Sequence, residues 1–142
     1  MTMNILTPAA VLIAWSLVML LWLFVTRIKG FNDAGIDLAK ADPGARYPDV
    51  EARMPAKINW KSHNYTHLTE TPTLFYAVVF VIALSGGGPT AAAWWAWGYT
   101  LLRILHSLWQ AMVNTVPVRF ALFMASNLCL FALAYYALRL TL

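Results

Sequence analysis

Three long stretches of this chain carry no charge, and they fix what it can fold into. No side chain is charged from Met1 to Thr26, none from Thr71 to Leu102, and none from Phe120 to Leu138. A helix crossing a hydrocarbon core of about 30 Å needs roughly 20 mostly apolar residues. The runs fit that length, so the second solvent is a bilayer. The first run lacks the basic leader of a secretory signal and reads as a retained helix. Across the 142 residues 61% are hydrophobic and 11% charged, against about 25% charged in an ordinary soluble domain.

Breakers divide the chain into a single domain, residues 1–142, with four spans. Helices are predicted near 7–28, 58–84, 90–113 and 118–140. Thr7-Pro8 signals the first start, and Ser85-Gly86-Gly87-Gly88-Pro89 separates the second from the third. Asn114–Val118, with Pro117, leads into the fourth. The fold class is therefore all-α, an integral membrane four-helix bundle.

The net charge of +4 does not point to nucleic acid, because it is local. Arg27, Lys29, Lys40, Arg46, Arg53, Lys57 and Lys61 lie on or beside loop 29–57, together with Asp33, Asp37, Asp42, Asp49 and Glu51. By the positive-inside rule that loop is cytoplasmic and both termini lie on the opposite side. Trp94, Trp95 and Trp97 would form the outer aromatic belt, Trp60 and Tyr65 the inner one. Cys129 is the single cysteine, which excludes an internal disulfide and reads as a small packed residue.

Ionisable residues within the spans are the informative ones. His63, His67 and Glu70 stand at i, i+4 and i+7 and share one helical face; Arg103, His106 and Gln110, at i, i+3 and i+7, share another. A rise of about 1.5 Å per residue puts Glu70 and Arg103 each roughly 15 Å from the cytoplasmic helix ends. They are expected to form an ion pair near mid-membrane, with His67 and His106 level with each other one turn nearer the cytoplasm. An isolated charge there costs about 2.5–3.5 kcal/mol or more, so the pair would brace two helices and the histidines would open a ligand cleft. Arg27 and Lys29 suit flanking charges, and Arg119 suits either a headgroup anchor or that cleft.

Other chemistries remain open on residues alone. His63, His67, Glu70 and His106 could hold a metal or flank a haem, although one short pattern arises readily by chance and no metal is expected. Glu70 could serve a small proton-coupled transporter. Two polar faces are hard to shield with four helices, which favours self-association. Ala92-x3-Ala96 and Ala121-x3-Ala125 offer small-residue seams for it.

The sequence resembles the MAPEG family, the membrane-associated proteins of eicosanoid and glutathione metabolism, over essentially its whole length. The family's second helix has Arg, then Asn four residues on and Glu three further, soon followed by Pro. Here that stretch reads His63-Asn-Tyr-Thr-His67-Leu-Thr-Glu70-Thr-Pro72. The microsomal glutathione transferase branch has Arg, His at plus three, Tyr at plus seven and Arg at plus sixteen. This chain has Arg103, His106, Gln110 and Arg119. Thr26-Arg27…Phe31-Asn32 is similar as well. The resemblance implies a homotrimer binding glutathione between subunits near the cytoplasmic side, as co-substrate of a transferase or peroxidase of lipophilic electrophiles or lipid hydroperoxides. It implies that Arg119 holds the sulfur as thiolate, the catalytic role, and that Arg27, His63, His67, Glu70, Arg103, His106 and Gln110 contact glutathione. The chain departs from the pattern at His63, His67 and Gln110, and at Phe120 and Phe123, where some relatives are polar. The alternative is a non-catalytic binder of lipid or small ligands on the same scaffold. Either way the partners are the chain itself, membrane lipid and lipophilic small molecules.

Overall fold

A computed structural model describes residues 4–142, and within them the ordered elements are all helical. They are α1 (Leu6–Asp33), a 3-10 turn (Leu38–Lys40), α2 (Tyr47–Glu51), α3 (Ala56–Thr69), α4 (Thr71–Leu84), α5 (Thr90–Met112) and α6 (Val116–Thr141). Three stretches are long and apolar enough to cross a membrane: Leu6–Asp33, Ala56–Leu84 taken across its break, and Val116–Thr141.

Helix α1 begins where Asn4 Oδ1 accepts the free Leu6 N–H at 2.9 Å. It continues to Asp33, five residues past the expected end at 28, because nothing breaks a helix before Gly35, whose φ of +63° permits a left-handed stop. Gly30 is what lets the chain return over this extension. A Cβ there would lie 2.6 Å from Ile58 Cδ1 and closer still to Met54 Cε.

The polar loop contains two short ordered pieces that were not anticipated. Asp37 Oδ1 accepts from Ala39 N at 3.0 Å to start the 3-10 turn, and Asp49 Oδ2 accepts from Arg46 N at 2.7 Å to start α2. The Arg27 guanidinium lies 3.9 Å from the centroid of the Tyr47 ring and donates to Ser62 Oγ at 2.7 Å. Tyr47 Oη donates to Asn59 Oδ1 at 2.6 Å, and Asn59 Nδ2 donates to the Glu51 carbonyl at 3.1 Å. Burial pushes the Tyr47 hydroxyl above the ordinary phenol range, with Arg27 partly offsetting it.

The expected second helix, 58–84, is two helices. Pro72 has no N–H for the carbonyl one turn back, so α3 ends at Thr69 and α4 restarts at Thr71 around Glu70 (φ −85°, ψ −93°). The α4–α5 turn uses Gly86, Gly87 and Gly88 at φ of +99°, +90° and +66°. Gly88 is the constrained one: a Cβ would sit 2.7 Å from Ile82 Cγ2 as well as in a left-handed backbone. Gly88→Ala is expected to cost about 1–2 kcal/mol of stability, read as a lower Tm, and Gly86→Ala, which meets open space, less.

Helix α5 is the centre of the packing, against α1, α3 and α6, while α4 closes on α6 and α1. The core runs through Leu12, Met19, Phe75, Val79, Ile82, Ala96, Tyr99 and Leu133, with Phe75 and Tyr99 stacked 4.3 Å apart. Because neighbours surround it, α5 buries a polar face of Thr100, Arg103, His106, Ser107 and Gln110. Its Ala92 and Ala96 are fully buried within the chain, so that seam is used internally and does not meet a second copy. Cys129 is buried against Gly98 of α5, in keeping with a packing role.

Candidate functional site

The break at Glu70 organises the polar interior. Pairing of the last α3 carbonyls stops there, and Arg103 Nη2 donates to the freed His67 carbonyl oxygen at 2.5 Å. A cation at a helix C-terminus also meets the negative end of the helix dipole. The expected ion pair of Glu70 with Arg103 is thus not formed: among the described residues Glu70 contacts His67, Oε2 to Nδ1 at 3.4 Å, and its side chain is 56% exposed. The reason is geometric, since the residue at the break points outward while Arg103 turns in to the backbone it caps.

Around this point the chain gathers some of the anticipated residues and separates others. His67 and His106 do meet, their rings 5.8 Å apart, and both lie against Phe123. Together with Val116, Arg119 and Phe120 they line a cleft of about 170 Å³. Arg119 is held by its own turn, with Nη1 donating to Asn114 Oδ1 at 2.6 Å. Asn114 takes a left-handed φ of +59° that stops α5 and turns the chain into α6. Arg103 reaches toward the same walls, its guanidinium carbon 5.8 Å from the Phe123 ring centroid.

Three anticipated residues lie elsewhere. His63 points to the loop, Nε2 to Glu51 Oε1 at 2.5 Å, so His63, His67, Glu70 and His106 do not converge on one metal-sized point. Arg27 is engaged with Tyr47 and Ser62. Gln110 is buried on α5, its Oε1 without a hydrogen-bond partner among the described residues.

Residues not singled out in the sequence complete the interior. Trp15 Nε1 and Asn64 Nδ2 both donate to Ser107 Oγ, at 3.0 and 2.9 Å, tying α1, α3 and α5 together. Thr100 Oγ1 donates to the Pro8 carbonyl at 3.0 Å. Ser107 was legible, for it stands four residues after Arg103 on the same face. Asn64 was not, because on α3 it sits beside the His63 stripe. Ser107→Ala strands the buried Asn64 amide and the half-buried Trp15 N–H and is expected to cost about 1–3 kcal/mol, measured by denaturant or thermal unfolding.

The arrangement concentrates unused hydrogen-bonding capacity. Nε and Nη1 of the fully buried Arg103 have no partner among the described residues, nor has Asn64 Oδ1. Two arginines and two imidazoles beside an aromatic wall suit an anionic or thiolate ligand with an apolar portion.

Comparison with known proteins bears on which ligand family this is. No curated protein and no solved structure gives a significant match to the chain. The model of the MAPEG family matches residues 5–139, nearly its whole length. The chain therefore belongs to the MAPEG family, membrane proteins of glutathione and eicosanoid metabolism.

Proposed function

We propose that this protein is a glutathione-dependent transferase or peroxidase of lipophilic substrates, assembled as a homotrimer of four-span subunits. The observation that carries the proposal is Arg119 on the wall of one cleft with His67 and His106, lined by Phe120 and Phe123. A free thiol has a pKa near 8.5. A guanidinium beside it favours the ionised, nucleophilic form. Sulfur would then attack an electrophilic carbon with loss of its leaving group, or a hydroperoxide oxygen with release of the alcohol. The Phe walls would hold the apolar part of that substrate. His67, Arg103 and His106, with Gln110, Glu70, Arg27 and His63 at the margins, would contact the peptide.

Size supports assembly. A cleft of about 170 Å³ is smaller than the roughly 300–1,000 Å³ of small-molecule sites, so one chain supplies only part of the wall. Helix α5, at 23 residues, is about 35 Å long and suits a fourth span whose polar face is shielded by its neighbours. The basic loop 29–57 would be cytoplasmic, with the termini opposite.

A second reading, a non-catalytic lipid binder, draws on a groove of about 620 Å³ between α4 and α6 lined by Leu74, Ala77, Val81, Leu130 and Phe131. A thermal-shift titration separates the two. A ligand at 100 times its Kd stabilises the fold by about 2.7 kcal/mol, so glutathione and its S-alkyl analogues should raise Tm. No shift with millimolar glutathione, alongside a shift with fatty acid alone, would replace the first reading by the second.

A further inference from the structure

The α5–α6 turn beside the cleft carries a residue that backbone geometry alone does not require. Asn114, with its φ of +59°, is the one non-glycine residue at positive φ among the described residues. Glycine takes that conformation with the least strain. Asparagine tolerates it through its short polar side chain, and here that side chain is in use. The turn around it is tightly bonded. The Val113 and Asn114 N–H groups both donate to the Trp109 carbonyl, at 2.9 and 2.8 Å. Trp109 Nε1 donates to Thr115 Oγ1 at 3.0 Å, and the Arg119 N–H to the Thr115 carbonyl at 3.2 Å. Asn114 and Arg119 are thereby held in one register.

Their side chains meet where Asn114 Oδ1 accepts from Arg119 Nη1 at 2.6 Å, both residues being half-buried. A guanidinium has five N–H groups and no acceptor, so this bond commits one and leaves the others for a ligand. The strong partner of an arginine is ordinarily a carboxylate. Among the described residues none pairs with Arg119. The titratable groups that share the cleft with it are His67 from α3 and His106 from α5, while α6 adds the uncharged Val116, Phe120 and Phe123. Glu70 is engaged with His67, and Arg103 lies over Phe123.

We propose that Asn114 is a positioning residue for Arg119, its neutral amide oxygen aiming the guanidinium into the cleft without cancelling the charge. Aspartate in its place would make the same bond on the same backbone, but would neutralise the cation. Glycine would keep the backbone and lose the aim. Asparagine is the residue that keeps the left-handed turn, the hydrogen bond and the net positive charge together. The inference rests on the thiolate role of Arg119 proposed above.

The pH titration of thiolate absorbance at saturating glutathione tests it, with Tm recorded for each variant. Asn114→Asp should move the midpoint up by about one pH unit, a roughly tenfold loss of thiolate below the midpoint, since a carboxylate beside Arg119 removes much of its pull on the sulfur. Asn114→Gly should move it up by less, because the charge remains, and its Tm should stay within about 4 °C of wild type. Thr115→Ala breaks the Trp109 contact in the same turn and should leave the midpoint in place. A wild-type midpoint in Asn114→Asp overturns the inference, and so does an equal rise in Thr115→Ala. A normal thiolate band in wild type with no shift in the Asn114 variants removes this inference alone and leaves the proposed activity standing. No thiolate band in wild type removes both.

Discussion

Arg119→Ala should lower kcat/KM for a glutathione-dependent reaction by about 10²-fold, the scale on which a single preorganised charge-stabilising donor acts. The change removes the cation that favours thiolate, so the thiol pKa returns toward about 8.5 and the ionised fraction at neutral pH falls. The sign follows directly: raising the pH should recover part of the lost rate, because bulk hydroxide then ionises the thiol without help. Arg119→Lys keeps the charge but loses the planar fork, and should fall between the two. The fold should survive, since among the described residues the one side-chain bond of Arg119 is to Asn114 in the same turn. Steady-state rates against pH, with a soluble electrophile, provide the check. An unchanged rate in Arg119→Ala would remove this residue from the chemistry.

The second large effect is on stability. Arg103 is fully buried, donates to the His67 carbonyl at the α3–α4 break and lies over Phe123. Arg103→Ala would leave that carbonyl without a donor and open a cavity at the centre of the packing. The expected loss is about 3–5 kcal/mol, seen as a large fall in Tm or in resistance to denaturant. Glu70→Gln is expected to change the stability of the isolated fold by less than about 1 kcal/mol, because its exposed carboxylate holds only a half-exposed histidine. Had the two residues formed a buried ion pair, removing either partner would be similarly damaging. The contrast between the variants distinguishes a backbone cap from an ion pair.

Much of this molecule was written in its sequence, and the reasons for the remainder are specific. Uncharged runs and the glycine turn located the helical stretches because backbone polar groups in a bilayer must pair internally. The stripe on α5 was readable because Arg103, His106 and Gln110 repeat with the helical period. The meeting of His67 with His106 followed from two antiparallel helices of matched depth. The split at Glu70 was missed although Pro72 announced it. Apolar runs resist interruption on paper, whereas a missing N–H breaks the ladder in space. That break supplied Arg103 with a carbonyl partner, which no pattern of charges could reveal. His63 went to Glu51 because the loop folds back over Gly30, a long-range contact invisible to spacing.

The cleft holds about 170 Å³, and behind its Phe123 wall the buried Arg103 has two donors without a partner among the described residues. Both features suit the anionic ligand of the proposed function.

The most direct measurement is a difference ultraviolet spectrum of the purified protein titrated with glutathione at neutral pH. Wild type should develop thiolate absorbance that saturates with bound ligand, and Arg119→Ala should show none at equal occupancy. Saturable binding without a thiolate band in wild type, or an undiminished band in Arg119→Ala, would contradict the account.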